Sequence, residues 1–209
     1  MRPTDIKRLT FAWVATVFAV AASAQSISDA VKNAYSMGEA SASRIAIRST
    51  FANDPHNQTM LADLAALDQA IQRHAQKLGI DPAKVLVVLE GVAPNSPDAN
   101  LLNSHAESAL EGILNAHGSG EKVVKAMSLG WRVSAYSHTC AVAVDVEHQR
   151  PDIAASVIAA YAAMTADLKA GAADLGVQIS PAQAGQTIAE TCNRLNSVLT
   201  SLNGSLQAH

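Results

Sequence analysis

The sequence predicts an all-α protein, a helical bundle of about six to seven helices. Apolar side chains recur at steps of three and four residues along most of the chain, which is the spacing of one helix face. Proline and glycine recur where helices typically begin and end. Hydrophobic residues make up 49% of the chain but aromatic residues only 4%. The apolar content is rich in alanine, which favours helices and their close approach.

Helix boundaries follow from capping patterns. A capping side chain precedes proline at Asp54-Pro55, Asp81-Pro82, Ser96-Pro97 and Ser180-Pro181. Glycines at positions typical of helix ends are Gly79, Gly91, Gly118, Gly176 and Gly204. The predicted helices are residues 26–50, 55–78, 82–90, 97–117, 120–147, 152–175 and 181–206.

A minor β element near 84–89 or 140–147 is an open alternative. Residues 84–89 are rich in β-branched side chains, and Val142, Val144 and Val146 alternate with smaller or polar residues. Helical spacing nevertheless continues through the second segment, and a lone strand would have few pairing partners in this chain. We therefore expect one long central helix over 120–147.

The first 24 residues have the three parts of a secretory signal peptide. Basic residues come first, the apolar run Leu9–Ala22 follows, and Ala22-Ser23-Ala24 forms a cleavage site. The apolar run is shorter than the ~20 residues that a membrane span needs. We therefore expect cleavage after Ala24, no stable membrane anchor, and a periplasmic or secreted protein. Residues 25–209 then form a single helical-bundle domain.

The charge of the mature chain argues against a nucleic-acid partner. The full chain has 15 basic and 18 acidic residues, and the signal peptide removes Arg2, Lys7, Arg8 and Asp5. The remaining 12 basic and 17 acidic residues give a formal charge of −5. Nucleic-acid binding needs a basic face that displaces counterions from phosphates.

The two cysteines, Cys140 and Cys192, predict a disulfide bond. An even cysteine count in an exported protein favours such a bond. Cys140 lies on a face of the predicted central helix, and Cys192 lies within the apolar stripe of the last helix. Two buried free thiols are the alternative. Metal binding by this pair is disfavoured because neither cysteine belongs to a C-x-x-C motif.

The histidines and acids do not form a recognised metal or haem motif. His138 and His148 are ten residues apart, or about 15 Å along a helix, too far to share an ion. Asp145 and His148 supply at most two ligands. Glutamates without a histidine three residues later are Glu107, Glu111, Glu147 and Glu190, so the di-iron pattern is absent. His74 lies in a leucine stripe, which is typical of a hydrogen-bonded core histidine. We predict no metal ligand and no cofactor.

No catalytic residue is predicted either. Ser119-Gly-Glu-Lys122 matches the S-x-x-K nucleophile motif of penicillin-binding proteins, but the accompanying K-T-G is missing. Ser119 is better explained as a helix cap. No nucleophile–base pair emerges elsewhere, so an enzyme is less expected than a binding protein.

The functional expectation is therefore an exported protein that binds noncovalently to an unidentified protein or small molecule in the cell envelope. An envelope chaperone, an inhibitor or immunity-type factor, and a small-ligand carrier all fit; a bundle that houses a metal or haem is the alternative. Residues 26–50 have few large apolar side chains, so this helix is expected to be the least committed to the core and to contribute to the partner contact. Alternatively, it packs as an ordinary member of the bundle.

Overall fold

The structure, a computed structural model, is an all-α bundle, as predicted. It describes residues 27–51, 56–92, 99–137, 139, 151–180, 185 and 187–208. Within these ranges the chain forms seven α-helices and no strand. The helices are α1 (Asp29–Phe51), α2 (Gln58–Lys77), α3 (Pro82–Glu90), α4 (Ala99–Ala116), α5 (Glu121–Ser137), α6 (Ala154–Asp174) and α7 (Ile188–Leu206). A 3₁₀ turn, Pro151–Ile153, precedes α6. The predicted signal peptide, 1–24, lies outside the described residues.

The β alternative at 84–89 is wrong, because these residues belong to α3. The Asp81 carboxylate accepts a hydrogen bond from the Ala83 backbone N–H at 3.0 Å, and Pro82 opens the helix. Val85 and Leu89, four residues apart, are fully buried on one face. Helix capping and a helical apolar period outweigh the β-branched composition. The other β alternative, 140–147, lies outside the described residues.

The predicted helix over 120–147 ends earlier than expected, because α5 stops at Ser137 and Thr139 lies in a turn. The Ser137 hydroxyl donates to the Ser134 carbonyl, and the Thr139 hydroxyl donates to the Tyr136 carbonyl, each at 2.7 Å. Such side-chain bonds compete with the helical backbone pattern. The expectation of a continuous helix through Thr139 is therefore wrong.

Two predicted helix ends are confirmed in detail. Gly79 and Gly176 have φ values of +74° and +83°, which glycine adopts without strain. The N–H groups of Ile80 and Val177 bond back to carbonyls five residues earlier, both at 2.9 Å. This is the Schellman arrangement, with a buried apolar side chain after the glycine. Gly204, in contrast, lies inside α7 and does not end it.

Two predicted helix starts are displaced. The α2 cap is Asn57, whose side chain accepts from the Met60 N–H at 3.1 Å, rather than Asp54. The α7 cap is Thr187, whose hydroxyl accepts from the Glu190 N–H at 3.1 Å, rather than Ser180. Both real caps are followed by helical apolar spacing, but neither is followed by proline.

α1 is the central helix of the bundle. It packs most extensively against α5 and α2, and also contacts α3 and α7. Ala34, Tyr35 and Met37 are completely inaccessible to solvent. The expectation that residues 26–50 are the least committed to the core is therefore wrong, and the alternative, that this helix packs as a member of the bundle, is confirmed.

Two glycines explain why a helix with small side chains occupies the centre. A Cβ placed on Gly38 of α1 would lie 2.0 Å from the Met127 carbonyl oxygen of α5. A Cβ placed on Gly130 of α5 would lie 2.0 Å from the Tyr35 carbonyl oxygen of α1. The two helices thus meet backbone to backbone at both glycines. Small residues allow this approach, and dispersion contacts between close backbones replace large interlocking side chains.

An ion cluster around the buried Arg44 fixes the other side of α1. Arg44 is 6% exposed, and its Nε lies 2.5 Å from Asp68 Oδ1 of α2. The same guanidinium pairs with Glu90 at the end of α3, and Arg48 Nη1 lies 3.0 Å from the other Glu90 oxygen. The hydrogen bond from Arg44 holds the pKa of Glu90 below its ordinary value. One arginine therefore ties α1 to both α2 and α3.

Replacing Gly38 by alanine should destabilise the protein by about 3 kcal/mol or more, because the new methyl group meets backbone atoms that cannot move independently. Gly204→Ala is the matched control. Gly204 also lies in a helix, an added Cβ there meets nothing within 4 Å, and the change should gain up to about 1 kcal/mol. Urea denaturation measures both effects. A Gly38→Ala variant as stable as the wild type would contradict the proposed helix contact.

Candidate functional site

Of the two cysteines predicted to form a disulfide bond, only Cys192 lies within the described residues. Cys192 is on α7, 5% exposed, and packs in the main core. Cys140 lies outside the described residues, as do His138, Asp145 and His148. The prediction that the histidines and acids around Cys140 form no metal site therefore stays a prediction.

His74 is a core histidine, as predicted. It is buried on α2, and its Nδ1 lies 2.9 Å from the side-chain oxygen of Asn33 on α1. Desolvation by burial lowers its pKa, and the positive charges of Arg73 and Lys77 lower it further. The neutral imidazole therefore serves as a hydrogen-bonded contact between α1 and α2.

The S-x-x-K match does not form a catalytic pair among the described contacts. Ser119 lies in the turn between α4 and α5, where its backbone N–H donates to the Leu114 carbonyl at 3.0 Å. Lys122 is exposed on the first turn of α5. Gly120, whose carbonyl accepts from the Val123 N–H at 2.9 Å, takes the position before α5 that we expected for Ser119.

A polar cluster joins α4, α5 and α6. The Ser128 hydroxyl donates to the Glu107 carboxylate, and Arg132 Nη1 lies 2.6 Å from Asp167 Oδ1. The Tyr136 hydroxyl donates to the other Asp167 oxygen at 3.2 Å. Burial raises the pKa of Glu107 above its ordinary range, although the Ser128 hydrogen bond opposes this shift. A raised carboxyl pKa is common at active sites. Here, however, the polar groups bond to one another, so the cluster joins three helices.

A cleft of about 410 Å³ lies between the start of α3 and the face of α4. Its lining residues are Ile80, Asp81, Lys84, Ala109, Gly112, Ile113, Ala116 and His117. The α4 residues Ala109, Gly112 and Ala116 are spaced by three and four, so they share one helix face. Because these side chains are small, the cleft extends close to the α4 backbone. A Cβ added to Gly112 would meet no atom within 4 Å.

The lining of this cleft combines apolar and charged residues. Ile80, 4% exposed, follows the Gly79 turn, and half-buried Ile113 faces the cleft from α4. Asp81 and Lys84 lie three residues apart at the start of α3 and bring opposite charges. His117 stands at the end of α4, where its Nε2 would lie 3.2 Å from a Cβ on Gly79.

A second cleft, of about 460 Å³, lies where the start of α1, the end of α2 and the segment after α7 meet. Its lining residues are Asp29, Lys32, Asn33, Lys77, Gln207 and Ala208. No isoleucine, leucine or valine lines it. Most of its lining residues carry a charge or an amide, whereas the α3–α4 cleft is lined in part by two isoleucines.

Sequence reasoning missed the α3–α4 cleft. The available signal was the small-residue spacing of Ala109, Gly112 and Ala116, which resembles a helix-packing face as much as a wall open to solvent. Only the structure shows that no helix of the described chain covers this face at Gly112.

Three further findings concern metal ligands, membrane spans and similarity to known proteins. Among the described residues, no group of three or more histidine, cysteine, aspartate or glutamate side chains is arranged to hold a metal ion. Within the same part of the chain, every helix is too short or too polar to cross a membrane. Comparison with known protein families, curated proteins and solved structures found no match.

His74 predicts a loss of stability at mildly acidic pH. Its folded-state pKa lies below the unfolded value of about 6.5, so its contribution is complete above that pH and is lost as the pH falls towards the folded value. The urea midpoint of the wild type should therefore fall more between about pH 7.5 and about pH 5.5 than that of His74→Gln. His105→Gln, at an exposed position on α4, is the control and should follow the wild type. Equal pH dependence in all three proteins would contradict this role.

Proposed function

We propose that this chain is an exported helical protein that binds a small ligand noncovalently in the α3–α4 cleft. The observation that carries the proposal is the cleft beside Gly112, where an added Cβ meets no atom and Ile80 and Ile113 are among the lining residues. Its volume of about 410 Å³ lies within the range of about 300–1,000 Å³ that is typical of small-molecule sites. Of the binding classes that the sequence favours, a small-ligand carrier fits a concave site best.

The chemistry of the lining supports binding rather than turnover. The polar residues of the cleft are Asp81, Lys84 and His117, and no serine, threonine or cysteine nucleophile lines it. Asp81 already accepts the Ala83 N–H in the cap of α3, so it has a structural role as well as lining the cleft. Catalysis by nucleophile and base needs a paired constellation, and this cleft supplies charges and apolar surface instead.

The proposed ligand contact does not involve residues 26–50, which the sequence analysis expected to contribute to partner binding. A helix-in-groove contact would require α1 to expose apolar side chains, but Val31, Met37 and Ile45 are buried. Displacing α1 would break both the glycine contact with α5 and the Arg44 ion cluster. The α3–α4 cleft is accessible without any such rearrangement.

Export and a Cys140–Cys192 disulfide remain part of this proposal. Thr139, the residue before Cys140, accepts a hydrogen bond from the Tyr161 hydroxyl of α6 at 2.9 Å, and α6 packs against α7, which carries Cys192. These contacts support a crosslink on that side of the bundle. Closing a loop of this length is worth about 4 kcal/mol in the chain-entropy treatment.

Filling the cleft should abolish ligand binding without unfolding the protein. Gly112→Leu places a side chain in space that is open in the structure, and leucine is the better helix former. Gly204→Leu is the matched control, because Gly204 is also an exposed helical glycine with nothing within 4 Å of an added Cβ. Saturation-transfer NMR with a library of small aliphatic and aromatic fragments should detect binders to the wild type and Gly204→Leu only. Fragments that bind all three proteins equally, or none, would refute the site.

Protein recovered from the exported fraction of its host should begin at Gln25 and contain a Cys140–Cys192 crosslink. Intact-mass measurement identifies the first residue, and peptide mapping without reductant identifies the crosslinked pair. Retention of residues 1–24 in exported protein would refute cleavage. Alkylation of both cysteines before any reduction would refute the disulfide.

A further inference from the structure

We infer that Asn203 is a site of spontaneous deamidation, that the contact between α7 and α1 holds this reaction back, and that the modification loosens that contact. The inference concerns the last turn of α7 and uses no residue that lines the α3–α4 cleft, so it is independent of the proposed ligand. Asn203 and Gly204 form the only Asn-Gly pair in the sequence. An asparagine before glycine is especially reactive, because glycine has no side chain to shield its backbone nitrogen.

The reaction needs only the asparagine, the next backbone nitrogen and water. The Gly204 nitrogen loses its proton and attacks Cγ of Asn203, the side-chain amide leaves as ammonia, and a cyclic imide forms. Water then opens the imide at either carbonyl, which leaves aspartate or isoaspartate at position 203. The net change consumes one water, releases one ammonia and replaces a neutral amide by a carboxylate.

The helical backbone of α7 opposes the first step. α7 ends at Leu206, so Asn203 and Gly204 lie in its last turn, where the Asn203 carbonyl accepts the Gln207 N–H at 3.0 Å. In a helix the backbone nitrogen of each residue is engaged with a carbonyl of the preceding turn. Helix ends open more readily than helix interiors, and a glycine weakens this turn further. The reaction therefore proceeds through openings of the last turn.

α1 holds both polar atoms of the Asn203 side chain. Its Oδ1 accepts a hydrogen bond from the Tyr35 hydroxyl, and its Nδ2 donates to Glu39 Oε1 at 3.2 Å. Gln207 Nε2 donates to the other Glu39 oxygen at 3.0 Å, which ties the end of α7 to the same carboxylate. Tyr35 is completely inaccessible to solvent, so this anchor belongs to the core of the bundle. These bonds have to break before the Asn203 amide can react.

The product of the reaction does not fit the same contact. Deamidation replaces the Nδ2 donor by a carboxylate oxygen, which would face Glu39 Oε1 at hydrogen-bond distance with no proton between them. Like charges at this separation repel each other. Deamidation therefore converts a bond between α7 and α1 into a repulsion.

The first measurement is the deamidation rate of each asparagine, obtained by peptide mapping with mass spectrometry while the mature protein is incubated at mildly alkaline pH. In urea-unfolded protein, Asn203 should react faster than every other asparagine. In folded protein, Tyr35→Phe should raise the Asn203 rate about two- to tenfold, the factor that corresponds to one hydrogen bond, because the rate follows the population of the open turn.

Tyr161→Phe is the matched control. Tyr161 is also buried, and its hydroxyl donates to the Thr139 carbonyl at 2.9 Å, so this variant loses a hydrogen bond that does not involve Asn203. Its Asn203 rate should equal that of the wild type. Gly204→Ala should suppress the reaction, because a methyl group shields the attacking nitrogen and alanine strengthens the helix. An Asn203 rate that Tyr35→Phe leaves unchanged, or that both tyrosine variants raise equally, overturns the role of the α1 contact.

The second measurement is the urea midpoint of a variant that carries the product charge. Asn203→Asp should lower the midpoint, whereas Asn196→Asp, at an exposed position of α7, should leave it close to that of the wild type. Adding Glu39→Gln to Asn203→Asp should recover part of the loss, because the glutamine amide can donate to the new carboxylate. An Asn203→Asp variant as stable as Asn196→Asp, or a loss that Glu39→Gln does not reduce, overturns the proposed loosening.

Discussion

The backbone contact between α1 and α5 is the constraint on which the rest of the bundle depends. At Gly38 and Gly130 each helix presses against a carbonyl group of the other, so neither helix can rotate or slide without a collision. This fixes which side of α1 remains for α2 and α3. On that side Asn33 meets His74, and Arg44 meets Asp68 and Glu90. The polar contacts therefore determine register across an interface whose position the glycines have already set.

The same constraint positions the candidate site. Arg44 holds the end of α3 through Glu90, while the Schellman turn at Gly79 sets where α3 begins. α4 packs against both α3 and α5. Its Gly112 face is left uncovered by the described chain at the point where α3 starts. The cleft is thus a gap between helices that are each anchored elsewhere, which is a common origin of binding sites in helical proteins.

The sequence predicts local features well and pairwise packing poorly. Helix type, the Asp81 cap and the glycine ends at 79 and 176 depend on neighbouring residues, and they are confirmed. The centrality of α1 was missed because counting large apolar side chains undervalues a glycine contact, whose partner lies far along the chain. The cleft was missed for the same reason. A row of small residues is a helix-packing face when another helix covers it and the wall of a cleft when none does. Only the three-dimensional arrangement distinguishes the two.

The pairing of α1 with α5 also has a consequence for the order in which the protein folds. Ser43 and Ser134, whose hydroxyls are 2.8 Å apart across this interface, are separated by 91 positions in the chain. The central helix α1 therefore has to wait for its main partner α5 to be synthesised, and such distant pairing slows folding because a long loop has to close. A chain whose collapse is delayed stays unfolded for longer, and the export that we propose would need an unfolded chain.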